Sequence, residues 1–341
     1  MLHEQETLDV LVIGAGQAGL AMGGQLQKLG KSFVILGKEE QVGDVWRKRY
    51  DSLVLFTPRW YSSLPGLPLM GDPNGYASKD EIAAYLESYA LHFGLPVLLG
   101  TEVLALDKID GLFRAFTNRG MFYAKQVVVC TGPFHRPYVP PAAHGLSDGV
   151  TQLHSSEYRN ASQLRPGSVL VAGAGNSGAQ IAVELSSERD VYLSSGHSLK
   201  FMPLQLFGKS IFWWFGKTGL LRAGADSPVG RVVRKRNDPI FGLELRDKIR
   251  QGQVRLRPRV VDIREDRILF ENDADPLTVS NVIWATGFRS DYGWIQIPGA
   301  SSGAGPEGLF FLGMPWQRNR GSALIGGVGE DSAVLAKRMF G

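Results

Sequence analysis

Two short runs hold most of the chemistry available to this chain. Gly14-Ala15-Gly16-Gln17-Ala18-Gly19 and Gly173-Ala174-Gly175-Asn176-Ser177-Gly178 both read G-x-G-x-x-G. Each follows an apolar run, residues 10–13 or 169–172, and opens a stretch with helical spacing. In that setting the first glycine makes a tight turn, the second admits a pyrophosphate against the backbone, and the third lets helix and strand touch. The diphosphate then rests on the unpaired N–H groups of the helix N-terminus. Two such runs predict two bound dinucleotides and electron transfer between them.

Other chemistries lack their residues. The six histidines are scattered, and Cys130 is the only cysteine, so neither metal-ligand spacing nor a dithiol is present. No acid/base pair or nucleophile stands out, which suits a protein whose cofactors carry the reaction. An acid usually ends the second strand of such a domain and bonds the ribose hydroxyls. Here strand 33–36 ends in Gly37, and Glu39 or Glu40 is the candidate substitute. In the second unit, strand 191–193 ends in Ser194-Ser195. Without a carboxylate to repel it, a 2′-phosphate fits a pocket of Ser194, Ser195, His197 and Lys200. NADPH is expected there, with NADH left open.

The elements around these runs repeat. Candidate strands 103–106, 112–116 and 121–123 lead to 127–129 and Cys130-Thr131-Gly132. Candidates 254–256, 260–263 and 268–270 lead to 282–284 and Ala285-Thr286-Gly287. First glycine to threonine spans 117 residues in one unit (131 − 14) and 113 in the other (286 − 173). This predicts an α/β fold of two Rossmann-like dinucleotide-binding domains, each with a small β-meander. Helices are expected over 17–29 and 79–93, closed by Gly30 and Gly94. The Pro/Gly-rich stretch 133–149 reads as the crossing between domains. The tail predicts a strand at 309–312, a glycine-rich loop and a helix from about Asp331. It is expected to return to the first domain, giving residues 1–150 plus 285–341 and residues 151–284.

With 341 residues, 44% hydrophobic and 21% charged, the chain has material for a sizeable core. The net charge of +4 is mild, and the basic runs 231–236 and 255–259 read first as solvated faces and next as help with an anionic cofactor. No aromatic-interleaved basic motif points to nucleic acid. No 18-residue apolar stretch predicts a transmembrane helix, and no signal peptide is read at the acidic start. A lone cysteine suits a reducing, cytoplasmic setting. The aromatic run 211–215 reads as a buried wall or substrate lining, and the oligomeric state stays open.

Gly43-Asp44-Val45-Trp46-Arg47, Tyr50-Asp51-Ser52-Leu53, Ser63-Leu64-Pro65-Gly66 and Ala285-Thr286-Gly287-Phe288 resemble flavin-containing monooxygenases, nearest to bacterial and YUCCA-like members. His154-Ser155-Ser156-Glu157-Tyr158 is similar to the end of that family's signature, although Gly149 lies one residue too far and no phenylalanine heads the motif. The resemblance implies FAD along Gly14, Gly16, Gln17, Gly19, Glu39, Trp46, Arg47, Val103, Thr131 and Gly132, with the loop around Gly329 facing the flavin ring. It implies NAD(P)H along Gly173, Gly175, Asn176, Ser177, Gly178, Thr286 and Gly287. His154 is a hinge or a cofactor contact, and Arg59 stands near the place of the family's asparagine. The implied activity is N-, S- or carbonyl oxygenation of a small organic substrate with NADPH and O2. An NAD(P)H oxidase or reductase, passing electrons to oxygen, a quinone or a protein carrier, is the rival, followed by a non-catalytic redox sensor. A flavin-dependent disulfide reductase would need a second cysteine.

Overall fold

The computed structural model describes residues 7–236, 238–300 and 305–341. Eight α-helices occur among them: α1 Gln17–Lys28, α2 Asp44–Arg47, α3 Lys79–His92, α4 Asn176–Leu185, α5 Ile211–Lys217, α6 Pro228–Arg234, α7 Glu244–Arg250 and α8 Ile325–Phe340.

The first sheet is built on Leu8–Ile13, where Val10, Leu11 and Val12 are fully buried. Such an unbroken apolar run suits a strand covered on both faces. It pairs in parallel with Phe33–Leu36 on one side and with the second half of Gly120–Val129 on the other. Val97–Leu98 extends the sheet beyond Phe33–Leu36, and Leu309–Phe311 from the chain tail pairs in parallel with Val127–Val129. The second sheet repeats this order with five parallel strands: Val254–Arg257, Val191–Ser194, Val169–Ala172, Asn281–Trp284 and Thr151–His154.

The meanders depart from the expected pattern. Residues 121–123 and 127–129 are one ten-residue strand, Gly120–Val129. Its first half pairs antiparallel with Leu112–Thr117, so this meander is an extension of the parallel sheet. Val254–Arg257 is a parallel-sheet strand, the counterpart of Val97–Leu98, and not the first strand of a meander. The second meander is a separate antiparallel sheet of Val260–Arg264, Arg267–Phe270 and Asp273–Leu277. Its last strand carries no strand signal in sequence, because Asp273, Asp275 and Pro276 are poor strand formers that only an edge accepts.

Helix ends follow local chemistry where they were legible. Gly30 and Gly94 adopt positive φ, +62° and +54°, just beyond α1 and α3. α3 opens with a capping box between Ser78 and Glu81. The final helix corrects the expectation: α8 starts at Ile325, so Gly326, Gly327 and Gly329 lie inside it. A Cβ at Gly326 or Gly327 would collide with the carbonyl of Tyr61 or Gly321, and one at Gly329 would stand 2.6 Å from Pro65. Close packing, not a loop, requires these glycines.

The halves meet through polar and apolar contacts. Tyr50 Oη bonds Gln180 Oε1 at 2.9 Å, and Gln180 Nε2 donates to the Val54 carbonyl at 2.9 Å. The crossing strand Arg136–Pro137 pairs with Phe288–Arg289. The aromatic run lies partly in α5, where Phe212 is buried among Phe56, Tyr61 and Phe241 as a wall between the halves.

Candidate functional site

The glycine runs form two nearly identical cradles. Gly14 and Gly173 have φ of +114° and +111°. A Cβ on Gly14 would stand 2.5 Å from the Cys130 carbonyl oxygen, and one on Gly173 would collide with that of Ala285. A Cβ on Gly19 would collide with the Gly14 carbonyl, as one on Gly178 would with Gly173. Gly16 and Gly175 differ, with no atom within 4 Å of the Cβ position. Both cap their helices without a side-chain bond. The first intrahelical bonds run from Leu20 to Gly16 and from Ala179 to Gly175, so the N–H groups of residues 17–19 and 176–178 have no partner among the described residues. Each site therefore fits a diphosphate: donors converge where the middle glycine leaves room.

The ends of the second strands set the cradles apart. The Gly14 N–H donates to the Leu36 carbonyl at 2.7 Å and the Gly173 N–H to that of Ser194 at 3.0 Å. By that register Gly37 matches Ser195, and Glu39 matches His197. A Cβ at Gly37 would stand 2.7 Å from the Ala15 methyl, which leaves no space for an acid there. Glu39 reaches back instead, its Oε2 lying 3.5 Å from that point, while Glu40 is exposed.

The expected second pocket is rearranged. Ser194 is buried, and its Oγ donates to the Pro258 carbonyl at 2.7 Å, so it is not free for a phosphate. Ser195 Oγ donates to the His197 carbonyl at 2.8 Å and shapes the turn. Lys200 is exposed, with its backbone carbonyl taking the Ile240 N–H at 2.8 Å. The cation at the turn is Arg259: a Cβ on Gly196 would stand 2.5 Å from its Nε and 2.7 Å from its Nη2. The basic run 255–259 held the signal, because it runs along and just past Val254–Arg257, the strand that neighbours Val191–Ser194.

Other expected residues divide between cavity and scaffold. Trp46 Nε1 donates to Gln17 Oε1 at 3.4 Å, which places both at the start of α1. Arg47 instead joins α2 to α3, bonding the Val42 carbonyl at 2.7 Å, Asp44 at 3.4 Å and Glu87 at 2.6 Å. Asn176 is likewise committed, donating to the Pro239 carbonyl at 3.2 Å and accepting the Phe241 N–H at 2.9 Å. Ser177 lies beside the Tyr50 hydroxyl. Val103 joins the apolar cluster that contains Ile13 and Leu36. Arg59 pairs with Glu81 at 2.5 Å and bonds the Met70 carbonyl at 2.9 Å, so it braces a loop rather than replacing an asparagine.

Both Thr-Gly turns are tied down by histidines. The Asp291 N–H donates to His135 Nδ1 at 2.7 Å, so the proton assigned to Nε2 points at Thr131 Oγ1, 3.0 Å away. The Ser156 N–H donates to His154 Nδ1 at 3.1 Å, and Nε2 then donates to the Gly287 carbonyl at 3.0 Å. That carbonyl also accepts the Tyr138 N–H at 2.9 Å, while Thr286 Oγ1 donates to the Tyr138 carbonyl. Burial pushes both imidazoles below their usual pKa, favouring the neutral form. His154 has both ring nitrogens engaged within the fold, one with Ser156 and one with Gly287.

Further groups complete the region. Asp331 is buried, with one oxygen on Arg318 at 2.6 Å and Oδ2 without a partner among the described residues. It lies on α8, whose first turn (Val328) and the first turn of α1 (Ala18) both pack against Gly313. An orphan acceptor there fits a hydroxyl or amide of a bound molecule. An open groove of about 550 Å³ is lined by Trp60, Leu64, Leu67, Pro68 and Leu69. Burial pushes the Cys130 thiol far above its usual pKa, so it is not a ready thiolate. Among the described residues, no group of three or more His, Cys, Asp or Glu is placed to hold a metal, and no helix is long and apolar enough to cross a membrane.

Known proteins share this architecture. The family model described as pyridine nucleotide-disulphide oxidoreductase matches residues 11–200. An "uncharacterized oxidoreductase CzcO-like" of Geobacillus kaustophilus is 58% identical, covering 97% of this chain and 98% of the relative. A probable indole-3-pyruvate monooxygenase of Arabidopsis thaliana, YUCCA1, is 30% identical over 84% of this chain and 77% of the relative. The solved flavin-containing monooxygenase from Stenotrophomonas maltophilia is 26% identical, with a TM-score of 0.81 over 98% of each chain.

Proposed function

We infer the activity from the premise that the chain belongs to the pyridine nucleotide-disulphide oxidoreductase family, as an oxidoreductase related to flavin-containing monooxygenases. It is a flavin-dependent monooxygenase that uses NADPH and O2 to oxygenate a small organic substrate at nitrogen, sulfur or a carbonyl carbon. FAD occupies the cradle of residues 14–19, in the half formed by residues 1–150 and 285–341. NADPH occupies the cradle of residues 173–178, in the half formed by residues 151–284. The lone buried cysteine favours a cytoplasmic setting.

One observation carries the assignment: two matched cradles end in opposite charge. Glu39 offers a carboxylate to a ribose diol, whereas Arg259 over Gly196 offers a guanidinium to a 2′-phosphate. NADH lacks that phosphate and is the poorer donor on this reading. When bound, the flavin supplies the hydride-accepting and oxygen-activating chemistry. The chain binds and orients. The N–H groups of residues 17–19 and 176–178 hold the diphosphates, and Trp46 with Gln17 closes the first cradle. His154 and Tyr138 fix Gly287 beside the second. The wall of Phe56, Phe212 and Phe241 excludes water between the halves. With no second cysteine and a buried Cys130, the chain has no dithiol relay.

The test is anaerobic reduction with NADPH followed by mixing with O2, recording oxygen uptake and peroxide release together. A monooxygenase takes up oxygen first and releases peroxide only after a delay when substrate is absent. Release in step with uptake would identify an oxidase instead.

A further inference from the structure

One tight passage of the chain links the cradles. Trp46 meets Gln17 at the start of α1, and Tyr50 bonds Gln180 of α4 beside Ser177. Arg49 lies between these anchors. Its guanidinium carbon is 5.4 Å from the centre of the Phe134 ring and 6.0 Å from that of Phe288. Those rings follow the two Thr-Gly turns, Thr131-Gly132 and Thr286-Gly287, and their centres are 5.0 Å apart. The guanidinium is thus clamped where the two halves face each other.

It has no anion. Arg49 is half-buried, yet none of the ion pairs among the described residues includes it. The charged or titratable groups that act on it are Arg159, which repels it, Tyr50 and His154. Burial pushes the Tyr50 phenol up to about 12 and His154 below its usual value, so neither is an anion at neutral pH. Arg159 is itself engaged with the Ser156 carbonyl at 3.0 Å. An aromatic clamp offsets only part of the loss of water around a cation. Structural arginines elsewhere in this chain have partners, as Arg47 has Glu87 and Arg318 has Asp331.

We propose that Arg49 is the phosphate-binding cation of the interdomain cleft, bonding a diphosphate oxygen of the nicotinamide dinucleotide where it leaves the second cradle for the first half. This rests on the assignment of NADPH to residues 173–178. The choice of nucleotide follows from the neighbours: Tyr50, His154 and Phe288 all border the second cradle, whereas Trp46 makes the contact with the first. A phosphate arriving beside the touching Phe134 and Phe288 rings meets a guanidinium already partly shielded from water, where a charge-assisted bond is strong.

The experiment titrates NADP⁺ calorimetrically into flavin-loaded parent, Arg49→Gln and Arg49→Lys proteins. Flavin content and the thermal midpoint without NADP⁺ are measured on each. The expected result is about ten-fold or greater weakening of NADP⁺ binding in Arg49→Gln, with part of it recovered in Arg49→Lys. Flavin content should be unchanged, and the midpoint should not fall, because the substitution removes an unpaired cation. Unchanged NADP⁺ affinity overturns the proposal. So does a fall in midpoint together with flavin content, which would mark Arg49 as scaffold or as a flavin contact. A parent protein that does not bind NADP⁺ would instead overturn the underlying assignment of the second cradle.

Discussion

At the end of the second strand in the first sheet, Glu39 turns its carboxylate back towards Gly37. At the same register in the second sheet stands His197, and Arg259 lies over the neighbouring Gly196. The two cradles share their parallel strand order, the φ of the first glycine, the collisions that exclude a side chain at the third, and the space at the second. On the proposed assignment, the repeated part would bind what FAD and NADPH have in common, a diphosphate. The divergent part would meet what differs, a ribose diol or a phosphorylated ribose, so cofactor choice would rest on a few side chains at one strand end.

The largest expected effect separates the cradles completely. Gly19→Ala should abolish flavin retention, because the new methyl meets a backbone carbonyl that cannot move aside. Gly178→Ala should keep the flavin and lose roughly a hundred-fold or more in NADP⁺ affinity, the cost of the same clash in the other half. Flavin-to-protein absorbance and NADP⁺ titration check both. If either change removes both ligands equally, the halves do not act separately.

Next comes the charge contrast. Arg259→Gln should raise the KM for NADPH by about 10- to 100-fold, the scale of one or two charge-assisted bonds. The KM for NADH should barely move, and steady-state kinetics with the two donors measures the difference. On the other side, Glu39→Gln should weaken FAD by about ten-fold. Glu40→Gln should leave FAD affinity unchanged in a binding titration of the flavin-free protein.

The smallest effect contrasts the starts of two interior strands, Leu8–Ile13 and Val191–Ser194. Lys125 and the Ser32 N–H hold Asp9 at about 2, below its usual 3.8. A folded-state value below the unfolded one adds stability that is present above the unfolded value and lost as pH falls through the folded one. Asp9→Asn should therefore cost about 0.5 kcal/mol or less at neutral pH, since the pair is largely exposed. That difference should fade between pH 4 and pH 2 in denaturant titrations. Asp190→Asn should leave the stability at neutral pH unchanged, because its contact with Arg255 is exposed and 3.7 Å long.

Legibility in the sequence follows the same division. The cradles were readable because only glycine satisfies a positive φ and a backbone contact in so short a span. Glu39 and Glu40 could not be separated, since the turn after Gly37 decides which one points back. Arg259 was hidden for a different reason: it lies 63 residues after Gly196 (259 − 196), and only the neighbouring of two parallel strands brings them together. Arg47 and Asn176 stood in the right segments, but their polar groups are engaged by Glu87 and by residues 239–241. The start of α8 was misread because three glycines suggest a loop, while packing on Tyr61, Gly321 and Pro65 makes them helical.

The central claim, that the two cradles form a nicotinamide donor and a flavin acceptor in one protein, is tested by one titration. NADPH is added anaerobically to the purified yellow protein while the flavin absorbance is followed. The account predicts stoichiometric bleaching, faster and at lower concentration with NADPH than with NADH. A protein that carries no flavin, or a flavin that NADPH leaves oxidised, would contradict it.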